Sequence, residues 1–332
     1  MYDIITVGNP TIDTFLVIPP QDIHSETKNG KRFFVIQAGA KIPIQAIEKR
    51  LGGNAANVAV GLRRFGLRTA IFCQIGNDQE GYFVHNSLRK EKVSTQFIAR
   101  HAGCAVNEST ILHHENDKVI FAYHYNHHFH VKKFPRSRWI YVSSLGQDFG
   151  ANAPEILHAL QKTHTMRLAY NPGCLELGEH PSAVRSLIER SNIVILNKEE
   201  AGIIVKKKSA SVEYLARLVQ KTQRGIALIT DGANGSCAYD GTTLFFAKIV
   251  PVKVVNSTGA GDAFSAGFLA SYIMHGNIEN ALYHASLNAT EVIQTIGAQG
   301  GLIKKADLPR VEKKYPKSRF CIKRVRALDK TL

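Results

Sequence analysis

An α/β fold, with a central mostly parallel sheet covered by helices on both faces, is predicted by three features of the chain. Apolar runs of about four to eight residues alternate with amphipathic segments of helical spacing along most of its length. Those runs are close to continuously apolar, as strands buried on both faces must be. The 332 residues also provide enough interior for a sizeable core.

In chain order, "DIITVG" (3–8) reads as a short buried strand closed by a glycine turn. In "LGGNAANVAVGLRRFGL" a glycine pair opens a helix that buries Val58, Leu62 and Phe65 and stops at Gly66. "TAIFCQIG" is the next strand and "DQEGYFVHNSLRKEKV" an amphipathic helix. The alternation resumes with "WIYVSSLG" as strand, "APEILHALQKT" as helix, "RLAYNPG" as strand and "SAVRSLIER" as helix. It continues through "SNIVILNKEEAGII" (strand then helix), "SVEYLARLVQKT" (helix) and "GIALITDG" (strand). Two regions break the rhythm, residues 14–45 and about 104–131. Their β-like alternation without helices predicts strands that pair in space as a small antiparallel lid.

Composition excludes several classes of function. The chain is 44% hydrophobic and 21% charged, without a low-complexity tract. No apolar run reaches the roughly 18 residues of a membrane span, and the start "MYDIITVGNPTID" lacks a signal core, so a cytoplasmic protein with no membrane partner is expected. Five scattered cysteines (73, 104, 174, 237 and 321) form no C-x-x-C pair, which disfavours a disulfide framework or a zinc knot. The net charge of +15 is concentrated in "KKADLPRVEKKYPKSRFCIKRVRALDK", with clusters at "KKK" 206–208 and "KRF" 31–33. No nucleic-acid motif accompanies it, so a solvated basic surface is favoured over a nucleic-acid partner.

The chemistry concentrates in "VVNSTGAGDAFSAGFLASYI" (254–273). A helix start presents unpaired N–H groups at the positive end of its dipole, and small residues let a phosphate approach them. Gly259, Ala260 and Gly261 suit such an anion cradle. A carboxylate repels phosphate, so Asp262 fits there as the base that takes a proton from an attacking hydroxyl. On this stretch alone it could equally charge a helix start while the glycines only turn the chain.

"NSTGAGDAFSAGF" resembles the C-terminal signature of the ribokinase-like (PfkB) carbohydrate and nucleoside kinases, usually D-T-T-G-A-G-D, and "GGNAANVAVGLRRFG" (52–66) resembles their N-terminal signature. The likeness spans nearly the whole chain. It implies a ribokinase-like kinase domain over 1–310, with a small β-lid from about 14–45 and 104–131, and a basic C-terminal extension over 311–332. It implies Asp262 as catalytic base and the amides of 259–262 as anion hole. Asn197 and Glu200 in "NKEEA" match the N-x-x-E element that organises Mg²⁺ and phosphate through water. Thr230, Gly232 and Gly235 in "TDGANG" match the nucleotide loop, and Ser286 or Asn288 in "HASLNAT" would stand near adenine, with the turn "GAQGG" (297–301) beside it. Asp13 matches the acid that grips substrate hydroxyls, with Thr11, Gly52, Gly53, Asn54 and Asn57 around the sugar. Asn171 in "YNPG" would face the same crevice from a strand end. Asn256 stands where the family usually has Asp beside its monovalent-cation site, which counts against K⁺ dependence although much of that site is backbone carbonyl.

The expected activity is ATP- and Mg²⁺-dependent phosphorylation of a hydroxymethyl group on a sugar. A nucleoside is the alternative acceptor, favoured if Phe121, Tyr123 or Tyr125 of the lid stacks on a base; a phosphosugar would need an Arg or Lys aimed at the crevice. A catalytically idle binding protein or a nucleic-acid binder on the same scaffold is the reading from another class. In "YHYNHHFH", His124, His128 and His130 would share one strand face, yet no carboxylate or cysteine completes a metal set. An exposed lid also invites pairing with a second copy of the chain.

Overall fold

The computed structural model describes residues 1–19, 23–114, 117–125, 136–163, 165–223 and 225–326. Its first half holds β1 (Tyr2–Val7), β2 (Thr11–Val17), β3 (His24–Lys28), β4 (Lys31–Val35), β5 (Ala46–Gly52), α1 (Asn54–Arg64), β6 (Thr69–Gly76), α2 (Gln79–Lys90), β7 (Ser94–His101), β8 (Asn107–His114), β9 (Asp117–Tyr123) and β10 (Ser137–Val142). There follow α3 (Phe149–Lys162), β11 (Arg167–Tyr170), α4 (Cys174–Glu179), α5 (Pro181–Arg190), β12 (Ile193–Asn197), α6 (Lys198–Ile204), α7 (Val212–Lys221) and β13 (Ile226–Thr230). The chain closes with β14 (Ser236–Tyr239), β15 (Thr243–Ala247), α8 (Ala260–His275), α9 (Ile278–Val292), α10 (Leu308–Lys314) and β16 (Lys323–Arg326).

The main sheet runs β16-β15-β14-β13-β12-β11-β10-β1-β6-β7, parallel from β13 to β7 and antiparallel at the other end. Its central strands divide their side chains between two cores. Trp139, Tyr141, Ile193 and Ile195 face the side covered by α1, α8 and α9. Ile140, Val142, Val194 and Leu196 face the side covered by α3, α5 and α7. That double burial is why these strands read as continuous apolar runs. Each such side chain removed from water contributes about 1.5–3 kcal/mol before entropy is counted.

A second sheet, β5-β2-β8-β9, stands beside the first; Phe34 of a β3–β4 hairpin and Ile42 after it pack on Ile18 and Ile23, which precede the hairpin, and on Leu112 of β8. It is not wholly antiparallel as expected: β2 and β8 run parallel, Asp13 level with Ser109. Alternation gives each strand's faces but says nothing of its neighbour's direction. The sheet also takes in residues 46–52 and 11–13, outside the expected boundaries. At the C-terminus, residues 323–326, expected in a separate extension, form the outermost strand of the main sheet by pairing with β15. Val325 packs on that sheet's core, while its lysine and arginine neighbours face water.

Candidate active site

Two helices fix the centre of the site. A Cβ built on Gly61 of α1 would come within 2.6 Å of the Ala266 Cβ of α8, so glycine lets the two helices nearly touch. One turn earlier on each helix stand Asn57 and Asp262, and there Asn57 Nδ2 donates to Asp262 Oδ2 at 2.8 Å. The two helices therefore run side by side in the same sense, with their first turns adjacent. Asn57 is itself held by Gln299, whose Nε2 donates to Asn57 Oδ1 at 2.9 Å and to Leu51 O at 3.0 Å.

Around the start of α8 the backbone is shaped to leave space. Gly259 is its N-cap, in the left-handed region at φ 78°, and a Cβ there would collide with Ala298. No side chain caps this start, and a Cβ at Gly261 would meet nothing. Ala260 and Gly261 open instead onto a cavity of about 500 Å³. That is the size of a small-molecule pocket.

The far wall of this cavity collects the residues expected for the nucleotide. Thr230, Gly232, Gly235 and Ser286 all line it. Between them lies an apolar slot of Val250, Val252, Ala289 and Ile293, which no motif marked beforehand. A base stacks in such a slot at little cost in hydrogen bonds. Asn288 does not join it. Its side chain is buried, donating to Ala263 O at 2.8 Å and accepting from Ile303 N at 2.9 Å, which ties α8 and α9 to the segment before α10. Two helical residues apart is roughly 200° of rotation, so only one of Ser286 and Asn288 can face the cavity.

Asn197 and Thr230 end adjacent parallel strands in register, and both border a smaller hollow next to the cavity. Asn197 and Glu200 close a reciprocal capping box on α6: Asn197 Oδ1 accepts from Glu200 N at 2.8 Å and Glu200 Oε2 accepts from Asn197 N at 2.9 Å. Burial raises the Glu200 carboxyl above its ordinary range, and the neighbouring Glu199 raises it further. A carboxylate so placed gains from a hard cation, which fits Mg²⁺ brought in by a polyphosphate and mostly water-bound. Asn171 sits between strand ends, donating to Ile195 O at 2.9 Å and accepting from Tyr141 OH at 3.3 Å.

The lid supplies the opposite wall. Asp13 of β2 is buried, and Gly52 is what admits it, since a Cβ there would occupy the space of its carboxylate. Gly53 caps α1 at φ 88°, where a Cβ would lie 2.7 Å from Asn9 O and 2.8 Å from Thr11 N. Thr11 is half-buried beside it, and Asn54 is exposed on the first turn of α1. Burial pushes both carboxyls up to about 6. For Asp13 a Ser109 hydrogen bond and the Lys118 charge oppose it; for Asp262 the Asn57 hydrogen bond opposes and the Asp13 charge reinforces. The Asp13 charge thus reaches Asp262, which itself stands in the first turn of α8.

Three lid contacts went unforeseen. Besides the Gln299 bond to Leu51, Arg50 Nη1 donates to Ile296 O at 2.7 Å, and Lys118 Nζ donates to Thr258 Oγ1 at 2.5 Å. The sequence carried no sign of the Arg50 and Lys118 contacts, because each is a lone polar side chain without a motif; Gln299 lies in the turn 297–301 expected beside adenine, and its bonds go to Leu51 and Asn57 instead. Asn256 is buried and its Oδ1 accepts from Thr258 N at 2.7 Å, shaping the turn before Gly259. Phe121 and Tyr123 lie on the lid's outward face, away from Asp13, and Tyr125 OH donates to Gly103 O at 2.6 Å. Of the clustered histidines, His128 and His130 lie outside the described residues. Among the described residues no helix is long and apolar enough to cross a membrane.

Comparison with known proteins places this geometry. The model of the pfkB family carbohydrate kinases matches residues 29–305. A 5-dehydro-2-deoxygluconokinase of Bacillus licheniformis is 28% identical over 295 residues, covering 79% of this chain and 90% of the relative. Among solved structures, the nucleoside kinase of Methanocaldococcus jannaschii, described as an archaeal member of the ribokinase family, superposes with a TM-score of 0.75 at 19% identity, over 94% of this chain and 99% of its own. An E. coli protein described as a ribokinase II, solved with ATP and Mg²⁺, gives 0.77 at 14% identity, over 95% and 100%.

Proposed function

From a chain that belongs to the pfkB family and is an ATP-dependent carbohydrate kinase, we propose a specific reaction: phosphoryl transfer from Mg-ATP to the hydroxymethyl group of a sugar acid of the 5-dehydro-2-deoxygluconate type. The observation that carries the chemistry is the Asn57–Asp262 hydrogen bond in the first turn of α8, next to Ala260 and Gly261, which line the cavity at that helix's uncapped start. The names of relatives from Bacillus licheniformis and Bacillus velezensis support the acceptor class, both 5-dehydro-2-deoxygluconokinases, at 28% and 25% identity. The outward placement of Phe121 and Tyr123 favours a sugar over a nucleoside, because neither can cover a base.

In this reading the adenine occupies the apolar slot and the phosphates reach the amides at 259–262, past Thr230, Gly232 and Gly235. Asn197 and Glu200 face the Mg²⁺ that arrives with the nucleotide; when bound, that ion neutralises phosphate charge. The acceptor lies between Asp13 and Asp262, its hydroxyls paired with Asp13 and its neighbours Thr11 and Asn54. The acceptor hydroxyl attacks the γ-phosphorus in line while Asp262 takes its proton, and the bond to the β–γ bridging oxygen breaks to release ADP. The open α8 amides hold the charge on the phosphoryl oxygens. A lid shut by Arg50, Gln299 and Lys118 keeps water from competing as acceptor. The lid's exposed Ile47, Val119, Phe121 and Tyr123 support pairing with a second copy, to be measured by sedimentation.

The test is ADP release with Mg-ATP across free sugars, sugar acids, phosphosugars and nucleosides. Turnover greatest with 5-dehydro-2-deoxygluconate supports the reading. Preference for a nucleoside overturns the acceptor class, and binding without turnover on any acceptor overturns the reaction.

A further inference from the structure

One cation crosses from the lid to the loop before α8. Lys118 of β9 donates to Thr258 Oγ1 at 2.5 Å, and its Nζ lies 3.5 Å from Ser257 Oγ. Strand register sets its face: Asp13 is level with Ser109, Ser109 is level with Ala122, and Lys118 lies four residues before Ala122. Lys118 therefore points to the same side of the lid as Asp13. Thr258 immediately precedes Gly259, and Ser257 lines the cavity assigned above to the nucleotide. The ammonium stands where the acceptor wall, the donor cavity and the open helix start meet.

Among the described residues, Asp13 is the charge that acts on this ammonium. Burial lowers the Lys118 pKa, while the charge of Asp13 works against that. Its hydrogen-bond partners on the loop are neutral hydroxyls. Phosphate oxygens are the stronger, charge-assisted acceptors for such a group.

Resting on the kinase reading above, we infer that Lys118 is the lid's own contribution to the reaction: in the shut lid its ammonium contacts the phosphoryl group in transit. The charge spread over the equatorial oxygens is then held from two sides, by the α8 amides from the body and by Lys118 from the lid. The proton count of the step is unchanged: the hydroxyl proton passes to Asp262, and Lys118 stays an ammonium throughout. Because β9 carries it, opening the lid withdraws it, so an open site holding ATP and water lacks one of its stabilising charges.

The experiment compares wild type, Lys118→Met and Lys118→Arg with Mg-ATP and 5-dehydro-2-deoxygluconate. It follows acceptor-dependent ADP release, and calorimetric binding of Mg-ADP with and without aluminium fluoride as a mimic of the phosphoryl in transit. For Lys118→Met, kcat falls about 10²-fold, the scale of losing one anion-hole donor, while both KM values stay within about threefold. Mg-ADP binds as before, the aluminium fluoride complex weakens by a similar factor, and Lys118→Arg recovers most of both. Unchanged kcat in Lys118→Met, or a loss confined to the KM of the acceptor, overturns this role with the kinase reading intact; the second result makes Lys118 a reader of the acceptor instead. A wild type without acceptor-dependent ADP release overturns the kinase reading, and this role with it.

Discussion

Asn57 and Asp262, 205 residues apart in the chain, share a 2.8 Å hydrogen bond from Nδ2 to Oδ2. The bond does two things to the carboxyl. It orients Oδ2 toward α1, and it favours the ionised form against burial, which still outweighs it and leaves the carboxyl at about 6. Gln299 in turn fixes the Asn57 amide by donating to its oxygen, which leaves the nitrogen as the end that meets Asp262.

A pH dependence follows. A base must be ionised, so kcat/KM falls as pH drops through about 6, on a limb shared with Asp13, which also titrates near 6. Asn57→Leu removes the bond that lowers the pKa of Asp262. The limb then moves to higher pH, and activity at pH 7 falls more than activity at pH 8.5. Superimposable profiles for variant and wild type would remove Asn57 from this role.

Asp262→Asn keeps the shape of the side chain and loses its basicity. Turnover drops by about 10²–10⁴-fold, the usual scale for removing a general base, while calorimetry still shows Mg-ATP and acceptor binding. Near-normal turnover in the purified variant would show that another group takes the proton.

Gly259 and Gly261 separate folding from binding within three residues. Gly259 has φ 78° and Ala298 packed where a Cβ would go, so Gly259→Ala lowers the melting temperature and distorts the turn. At Gly261 a Cβ meets open space, so Gly261→Ala melts like wild type. Its methyl projects toward the cavity, and the affinity for Mg-ATP drops about tenfold. Equal melting temperatures for the two variants would contradict this division.

Much of the fold was legible because the central strands are buried on both faces, a condition that leaves continuous apolar runs such as "TAIFCQIG" for β6. The lid was less so. In β5 the stretch "AIEKRLG" carries three consecutive charged residues, because it is a half-exposed edge strand, and it does not read as a strand at all. The site divides the same way. Asp262, Gly259 and Gly261 stand in a motif whose spacing is dictated by a helix start. Lys118 and Arg50 act across strand and loop contacts that no local pattern encodes. Asn288, two residues from Ser286 on one helix, shows how a register error trades a cavity wall for a buried structural bond.

Glu176 ties the loop after β10 to the core, and its protonation links stability to pH. The carboxyl is fully buried; Leu145 N donates to Oε1 at 2.6 Å, while Gly173 N at 3.0 Å and Tyr170 OH at 3.3 Å donate to Oε2. Burial raises it from the ordinary 4.5 to about 7, outweighing those hydrogen bonds, which favour the charge. Below pH 4.5 the group is neutral folded and unfolded, and its contribution to stability is complete. As pH rises from 4.5 to 7 the unfolded chain ionises first, so stability is lost through that window and is flat above it. Each tenfold change in proton affinity is worth about 1.4 kcal/mol, so the loss is on the order of 3–4 kcal/mol. Denaturant melts of wild type should therefore show a midpoint falling between pH 5 and 7.5. In Glu176→Gln, which cannot ionise, that part of the slope disappears whatever its absolute stability. An identical slope in the two proteins would assign the pH dependence to other groups.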